Sequence, residues 1–254
     1  MLKKFSQATK EALGNYVYVL SCPDTKKPFY IGRGKGDRVF EHFKEKEGDN
    51  KAKREKIDGI LKQGKEVDVD ILAHCLTEAE AALVEMAAID LIGKQNLTND
   101  VRGKDAGKRG RESAKNIDSR YSGAKLTEDD ITDNVVLVKI NELYEPDFAP
   151  FEIYEAARGY WEMDIKRAKS VDYVLAVCNG IVLEAYKPTE WLPAGTTWRT
   201  IKMENEDLTN RVEFVGNVAP QEVHDKYCGK SVVELFGKYP GTFKYVDKRK
   251  AIGK

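Results

Sequence analysis

Two short segments near the N-terminus alternate aromatic or β-branched residues with others. Residues 15–20 (NYVYVL) and 28–32 (PFYIG) flank a stretch rich in Pro, Asp, Thr and Lys, as the two strands of a hairpin do. Thr77 and Glu80 then stand at the positions of a helix capping box, and Gly93 ends that helix. The elements predicted in this half of the chain are strands at 15–20, 28–32 and 67–72 and helices at 37–47, 51–63 and 77–92.

The second half of the chain carries a different pattern. Two apolar runs surround Asn179-Gly180, which is the strongest short-range signal for a hairpin. The elements predicted here are strands at 135–140, 173–178, 181–186, 198–203, 211–215 and 242–246 and helices at 156–169 and 221–227. This order predicts an α+β domain with a curled sheet, of which a barrel-like sheet is one form.

Between these halves the apolar residues no longer recur at regular intervals, and Gly, Lys and Arg become frequent. We therefore predict an N-terminal domain at 1–105, a basic linker at 106–133 and a C-terminal domain at 134–254. The basic stretch from Arg102 to Arg120 is either plain linker or an arm that follows phosphates.

Composition restricts the class of protein. Hydrophobic residues make up 41% and charged residues 33% of the 254 residues, and no apolar run approaches the ~18 residues of a membrane span. The first residues, Met1–Phe5, are followed by polar residues rather than by the apolar stretch of a signal peptide. We expect a soluble cytoplasmic protein that does not associate with membranes, and its oligomeric state is left open.

Charge and cysteine usage add two expectations. The zero net charge conceals 25 Lys/Arg against 20 Asp/Glu in residues 1–125, and the reverse excess in the rest, which suits a nucleic-acid surface in the first half. The cysteines are widely separated, form no C-x-x-C pair and are expected to have no nearby histidine at zinc spacing, so neither a zinc site nor a disulfide frame is predicted. They are Cys22, Cys75, Cys178 and Cys228.

Residues suited to phosphodiester chemistry cluster in the first half. Tyr18 and Tyr30 are expected to lie close together on neighbouring strands, and Arg38 and His42 share a helix face four residues apart. Glu85 is a carboxylate within an otherwise apolar helix segment. The glycine-rich stretch Gly32–Gly36, expected to be a tight loop, lacks the spacing and the terminal Gly-Lys-Ser/Thr of a Walker loop, which argues against nucleotide hydrolysis.

In content and order these residues resemble the GIY-YIG nuclease family over about residues 14–103. Tyr16-Val17-Tyr18 stands for the first motif and Tyr30-Ile31-Gly32 for the second. The second motif with its basic continuation, together with the ending Leu97–Gly103, is most similar to the branch found in ankyrin-repeat and LEM-domain nucleases and bacterial relatives. The resemblance implies a small antiparallel sheet flanked by helices.

The resemblance also implies roles for these residues in cutting DNA. Tyr18 would be the general base, if neighbouring cations and the metal lower its pKa, and Tyr30 would bind the water or phosphate. Arg38 would clamp the phosphate, His42 would polarise or relay a proton, and Glu85 would hold one Mg²⁺ ion, for which Mn²⁺ can substitute. The residues assigned to substrate binding are Arg33, Lys35 and Asn99, with Asn96 as the alternative to Asn99.

Three functions remain open at this point. The first is a Mg²⁺-dependent endonuclease whose C-terminal domain selects a repair or restriction substrate. The second is a nucleic-acid-binding protein with an inactive nuclease domain, and the third is a regulator that docks a protein. The tryptophans of the C-terminal domain, Trp161, Trp191 and Trp198, are assigned to its core, with base stacking as the alternative.

Overall fold

The computed structural model describes residues 2–44, 50–201, 207–237 and 239–248. The chain divides into two compact units, Met1–Arg111, here unit 1, and Glu112–Lys254, here unit 2. No helix in the described ranges is long and apolar enough to cross a membrane.

Unit 1 is a three-stranded antiparallel sheet with helices on both faces. Its elements are α1 (Gln7–Leu13), β1 (Asn15–Ser21), β2 (Pro28–Lys35), α2 (Arg38–Glu41), α3 (Lys51–Lys62), β3 (Asp68–Leu76), α4 (Glu78–Ile92) and α5 (Ala106–Arg109). The strand order is β2-β1-β3. Because side chains alternate along β1, Tyr16 and Tyr18 pack toward α2 and α3, whereas Val17 packs against α4.

Two predictions about unit 1 are corrected. The stretch 32–36 is not a loop, because β2 continues to Lys35 and only Gly36 takes a left-handed conformation, with φ of 60°. The helix predicted at 37–47 covers Arg38–Glu41, and its end at 45–47 lies outside the described residues. The capping box is confirmed: the Thr77 hydroxyl accepts from the Glu80 amide at 3.2 Å, and the Glu80 carboxylate accepts from the Thr77 amide at 2.8 Å.

A buried carboxylate organises the end of unit 1. Asp90 on α4 is 2% exposed. Its carboxylate contacts the Arg102 guanidinium at 2.8 Å and accepts from the Arg111 amide at 2.7 Å. The first part of the basic stretch is therefore tied to α4 by an ion pair and hydrogen bonds.

Unit 2 holds a five-stranded mixed sheet with the order β7-β6-β5-β4-β8. Its elements are α6 (Ala114–Tyr121), β4 (Val135–Lys139), α7 (Pro150–Ala157), α8 (Ile165–Ala168), β5 (Tyr173–Cys178), β6 (Ile181–Pro193), β7 (Val212–Val218), α9 (Gln221–Tyr227), α10 (Val233–Phe236) and β8 (Phe243–Val246). The strands β4 and β5 are parallel, and the other pairs are antiparallel. Within the described ranges β7 and β8 are the edges of an open sheet, and no closed barrel is found.

Local signals predicted part of unit 2 correctly. The hairpin around Asn179-Gly180 is confirmed, since both residues take positive φ, 50° and 80°, between β5 and β6. The single helix predicted at 156–169 is wrong, because the chain leaves α7 and exchanges backbone hydrogen bonds of 2.9 Å between Trp161 and Val212 before α8 begins. The strand predicted at 198–203 is wrong over 198–201, and its last two residues lie outside the described ranges.

Candidate active site

The strand register brings the two motif tyrosines of β1 over glycines of β2. Tyr18 stands opposite Gly32 and Tyr16 opposite Gly34. Opposite residues of an antiparallel pair share a face, and a Cβ on Gly32 would lie 2.5 Å from the Tyr18 hydroxyl oxygen. Glycine at 32 therefore provides the space that the Tyr18 ring occupies.

Tyr18 is joined to His42 by a short hydrogen bond. The Tyr18 hydroxyl oxygen lies 2.5 Å from His42 Nε2, and Lys53 Nζ lies 3.2 Å from His42 Nδ1. A Lys ammonium has only donors, so His42 Nδ1 accepts from Lys53. A neutral imidazole then carries its proton on Nε2, which donates to Tyr18.

The pKa shifts agree with this direction of donation. Burial, followed by the charges of Lys53 and Arg38, lowers the pKa of His42 to about 4, so the imidazole is neutral at pH 7. Burial also raises the pKa of Tyr18 above its usual value, and Arg38 opposes that rise. Within the protein alone the nearby cations do not bring about the lowering of the Tyr18 pKa that the base role requires.

Tyr30 lies next to this pair. Its ring centroid is 6.3 Å from that of Tyr18 and 5.4 Å from that of His42, and Lys53 Nζ lies 4.6 Å from its centroid. Burial and then the carboxylate of Glu85 raise the Tyr30 pKa. The two tyrosines, the histidine and the lysine thus form one cluster, here called the tyrosine cluster.

Arg38 lies at the exposed side of the tyrosine cluster, whereas Lys35 does not belong to this cluster. The Arg38 side chain is 45% exposed, and its guanidinium contacts Glu41 at 2.5 Å. Its charge acts on the pKa values of Tyr18, Tyr30 and His42. Lys35 is exposed at the end of β2, two residues after Arg33, and therefore projects from the face of Arg33 rather than from the face of Tyr18.

Glu85 and Arg33 form an ion pair on the α4 side of the sheet. Arg33 Nε lies 3.1 Å from the Glu85 carboxylate, and the Glu85 side chain is 17% exposed. Arg33 stands opposite Val17, so it projects from the face that α4 covers rather than from the face of Tyr18. Burial raises the Glu85 pKa, and Arg33 opposes that rise.

Asn99 and Asn96 occupy different places. The Asn99 side chain accepts from the Ile31 amide at 3.1 Å and donates to the Ile31 carbonyl at 2.7 Å. Asn96 is exposed and donates to the Ile92 carbonyl at the end of α4. Asn99 therefore braces the strand residue between Tyr30 and Gly32.

Sequence reasoning missed two residues of this region. Lys53 is one lysine of a charged helix, and only the tertiary fold shows that it faces His42. The Tyr16 hydroxyl donates to the Gly36 carbonyl at 2.9 Å and accepts from the Val39 amide at 3.2 Å. Tyr16 thereby fixes the turn that carries Arg38, and its alternation with Tyr18 in the strand was the available signal.

Comparison with known proteins supports one family. Residues 25–126 match the family model described as the LEM-3-like GIY-YIG domain. The match begins after Tyr16 and Tyr18 and covers the other residues described above. Searches of curated proteins and of solved structures gave no match. Residues 25–126 are therefore a GIY-YIG domain, of the nuclease type, within this chain.

Proposed function

We propose that this protein is an endonuclease that hydrolyses phosphodiester bonds of DNA with a divalent metal ion. The observation that supports this best is the chain of contacts from Lys53 through His42 to Tyr18. It gives a buried phenol oxygen a fixed hydrogen-bond donor beside the exposed guanidinium of Arg38. In this proposal the domain at 1–105 cuts the DNA and the domain at 134–254 selects the substrate. The basic segment at 106–133 joins the two domains.

Glu85 fits the role of metal ligand. Mg²⁺ sites in nucleic-acid enzymes use one or two carboxylates and retain several waters, and Mn²⁺ accepts the same oxygen ligands. The half-buried Glu85 carboxylate has only a guanidinium, Arg33, as its charged contact among the described ion pairs. A bound ion would supply Lewis-acid stabilisation of charge on a phosphoryl oxygen.

The side chains of the tyrosine cluster perform the remaining steps. As a phenolate that accepts a hydrogen bond from the His42 Nε2–H, Tyr18 takes a proton from the attacking water. The resulting hydroxide attacks phosphorus, the bond to the leaving sugar oxygen breaks, and that oxygen takes a proton from solvent. Arg38 donates two hydrogen bonds to the phosphate, and Tyr30 orients the water or phosphate. Arg33, Lys35 and Asn99 are proposed to support binding.

The raised pKa of Tyr18 favours a second candidate, a nucleic-acid-binding protein whose nuclease domain is inactive. One experiment separates the two. Purified full-length protein is incubated with plain, branched, single-stranded and base-modified DNA, with Mg²⁺, Mn²⁺ or EDTA. The endonuclease cleaves one of these only with a metal ion, whereas the binding protein retains affinity and cuts none.

Site variants test the assignments. Tyr18→Phe should lower the cleavage rate at least 100-fold, the usual contribution of a catalytic base. Glu85→Gln should lower the rate as well, because it removes the carboxylate that would hold the ion. Glu78→Gln, on the same helix but exposed, is the matched control and should cleave like wild type. Wild-type rates in Tyr18→Phe or Glu85→Gln would refute the proposed site.

Substrate selection by unit 2 is proposed from the surroundings of Trp198. Trp161 and Trp191 are buried as expected for core residues, whereas Trp198 is 76% exposed. Buried carboxylates hold the loop on both sides of Trp198, since Glu213 accepts from the Thr197 amide and Glu155 from the Thr200 amide, both at 2.7 Å. The indole is thus presented on a fixed backbone, as a stacking surface for a base requires.

Trp198→Ala should weaken DNA binding about 5- to 150-fold, because stacking of one base on an aromatic ring is worth about 1–3 kcal/mol. Cleavage at saturating DNA should be unchanged. Phe151→Ala removes another exposed aromatic ring of unit 2, which is 56% exposed, and serves as the control. Equal affinities of both variants would refute base stacking by Trp198.

A further inference from the structure

A second group of metal-ligand side chains lies in unit 2, remote in sequence from Glu85. Glu184 on β6, His224 on α9 and Cys228 directly after α9 each place one ligand atom within 4.8 Å of the other two. The expectation that no cysteine has a histidine at zinc spacing is corrected here, because His224 precedes Cys228 by four residues. The third residue, Glu184, comes from a distant strand.

The helix α9 brings His224 and Cys228 to one side. The Cys228 amide donates to the His224 carbonyl at 2.8 Å, which closes a helical turn between them. Residues four apart on a helix are neighbours on its surface. The two side chains therefore converge without any change in backbone conformation.

Backbone hydrogen bonds fix this helix to β6 around Glu184. Before the helix, the Ala219 amide donates to the Ala185 carbonyl, and after it the Gly229 amide donates to the Val182 carbonyl, both at 2.8 Å. These acceptors lie on either side of Glu184 in the strand. The three ligand groups are thus held by the main chain of two tied elements rather than by flexible loops.

The distances suit a small tetrahedral ion. Glu184 Oε1 lies 3.7 Å from His224 Nε2 and 3.9 Å from Cys228 Sγ. Bonds of about 2.0–2.3 Å from Zn²⁺ to nitrogen, oxygen and sulfur put two ligands of a tetrahedral site about 3.4–3.6 Å apart. These two separations therefore need to shrink by only a few tenths of an ångström, and the third, between the ligand atoms of His224 and Cys228, is within 4.8 Å.

A second carboxylate lies near the His224 ring, and one side of the ring is open to solvent. Asp225 places a carboxylate oxygen 3.8 Å from Nδ1, the ring nitrogen that faces away from the group, and Gln221 holds that carboxylate at 2.7 Å. Carboxylates behind a ligating histidine are the usual outer partners in metal sites. The His224 side chain is 38% exposed, so water can reach a fourth position.

We propose that Glu184, His224 and Cys228 bind a divalent ion of the zinc class, with a fourth coordination position open to water. One sulfur, one nitrogen and one oxygen donor favour Zn²⁺ over Mg²⁺, which prefers oxygen alone. On binding, the Cys228 thiol releases its proton to solvent and a sulfur–metal bond forms, without any change of oxidation state. The site is independent of the proposed nuclease reaction.

Co²⁺ is the probe, because a cobalt–thiolate bond gives a charge-transfer band in the near ultraviolet. Full-length protein is stripped with a chelator, dialysed and titrated with Co²⁺. We expect one equivalent to produce the thiolate band together with visible bands of four-coordinate cobalt. Stoichiometric Zn²⁺ should abolish these bands, and a large excess of Mg²⁺ should leave them unchanged.

Variants assign the bands to this group. Cys228→Ser should remove the thiolate band, and His224→Gln, a change at a partly exposed side chain, should weaken Co²⁺ binding at least ten-fold. Cys75→Ser is the matched control, because Cys75 also lies beside a histidine, with 3.1 Å between its sulfur and His74 Nδ1, but is exposed. Far-ultraviolet circular dichroism checks that each variant is folded.

Two results would overturn the proposal. One is the absence of a thiolate band in wild-type protein with excess Co²⁺. The other is a band that survives both Cys228→Ser and His224→Gln but disappears in Cys75→Ser, which would move the site to the exposed His74–Cys75 pair. Loss of nuclease activity is not a readout of this experiment, so its outcome is separate from that of the cleavage tests.

Discussion

The pKa of His42 reports most directly on the burial and the charges of the tyrosine cluster. Burial, with the charges of Lys53 and Arg38, lowers it from 6.5 to about 4. At 1.36 kcal/mol per unit this shift corresponds to about 3 kcal/mol against the charged imidazole. At pH 5.5, His42 should then remain about 97% neutral, whereas an unperturbed histidine would be about 9% neutral.

The same shift sets the sign of the pH dependence of stability. Between pH 6.5 and about 4 the unfolded state binds a proton at His42 and the folded state does not. The contribution of His42 to the stability of unit 1 is therefore complete above pH 6.5 and is lost as the pH falls toward 4. A His42→Gln variant lacks this loss. The free energy of unfolding of wild type relative to that of the variant should therefore fall by up to about 3 kcal/mol between pH 6.5 and about 4.

Nuclear magnetic resonance of the imidazole ring provides the assay. Tryptophan fluorescence cannot report on unit 1, because all three tryptophans lie in unit 2. The chain has three histidines, and the variants His74→Gln and His224→Gln identify the His42 signal. Long-range ¹H–¹⁵N correlations should show the proton on Nε2, the tautomer that donates to Tyr18.

Two charge variants should move the pKa of His42 in opposite directions. Lys53→Met removes a cation that lowers it and should raise it, although not to 6.5, because burial is the larger cause. Glu41→Gln removes an anion that raises it and should lower it. A wild-type His42 that titrates at pH 6 or above, or carries its proton on Nδ1, would refute the argument.

Two further predictions concern the packing around Gly32 and the buried ion pair of Asp90. Gly32→Ala would place a methyl group 2.5 Å from the Tyr18 hydroxyl; it should cost about 1–3 kcal/mol of stability and lower DNA cleavage at least ten-fold. Gly59→Ala, which meets no atom within 4 Å, is its control and should cleave normally with about 0.5–1 kcal/mol of added stability. Asp90→Ala takes away the carboxylate that binds Arg102 and should lower the free energy of unfolding by about 3–5 kcal/mol. Hydrogen exchange at residues 102–111 should then be faster than in wild type. Exchange as slow as in wild type would contradict the role of Asp90.

Elements with strong local signals could be predicted from the sequence. The helix α4 follows its capping box, the hairpin of β5 and β6 follows Asn179-Gly180, and α9 spans the predicted residues. In each case the residues that specify the element lie within it or at its end. Such predictions require no knowledge of what packs against them.

Predictions failed where a distant segment decides the conformation. The glycines at 32 and 34 indicated a loop, but they lie in a strand, where Tyr18 occupies the space above Gly32 and the Arg38 side chain the space above Gly34. The helix expected after Ala156 stops because the chain bonds to Val212, more than fifty residues away. Glycine content and helical periodicity cannot distinguish these outcomes without the partner strand.

The identities of the site residues do not by themselves establish their protonation states. The burial that keeps His42 neutral also keeps Tyr18 protonated, and a protonated phenol is no base. A donated hydrogen bond favours the phenolate, and so does the charge of Arg38. Because Arg38 is 45% exposed and paired with Glu41, its full effect on Tyr18 depends on where its guanidinium lies when a phosphate is bound. In the proposed reaction, binding of substrate and formation of the base are therefore coupled through Arg38.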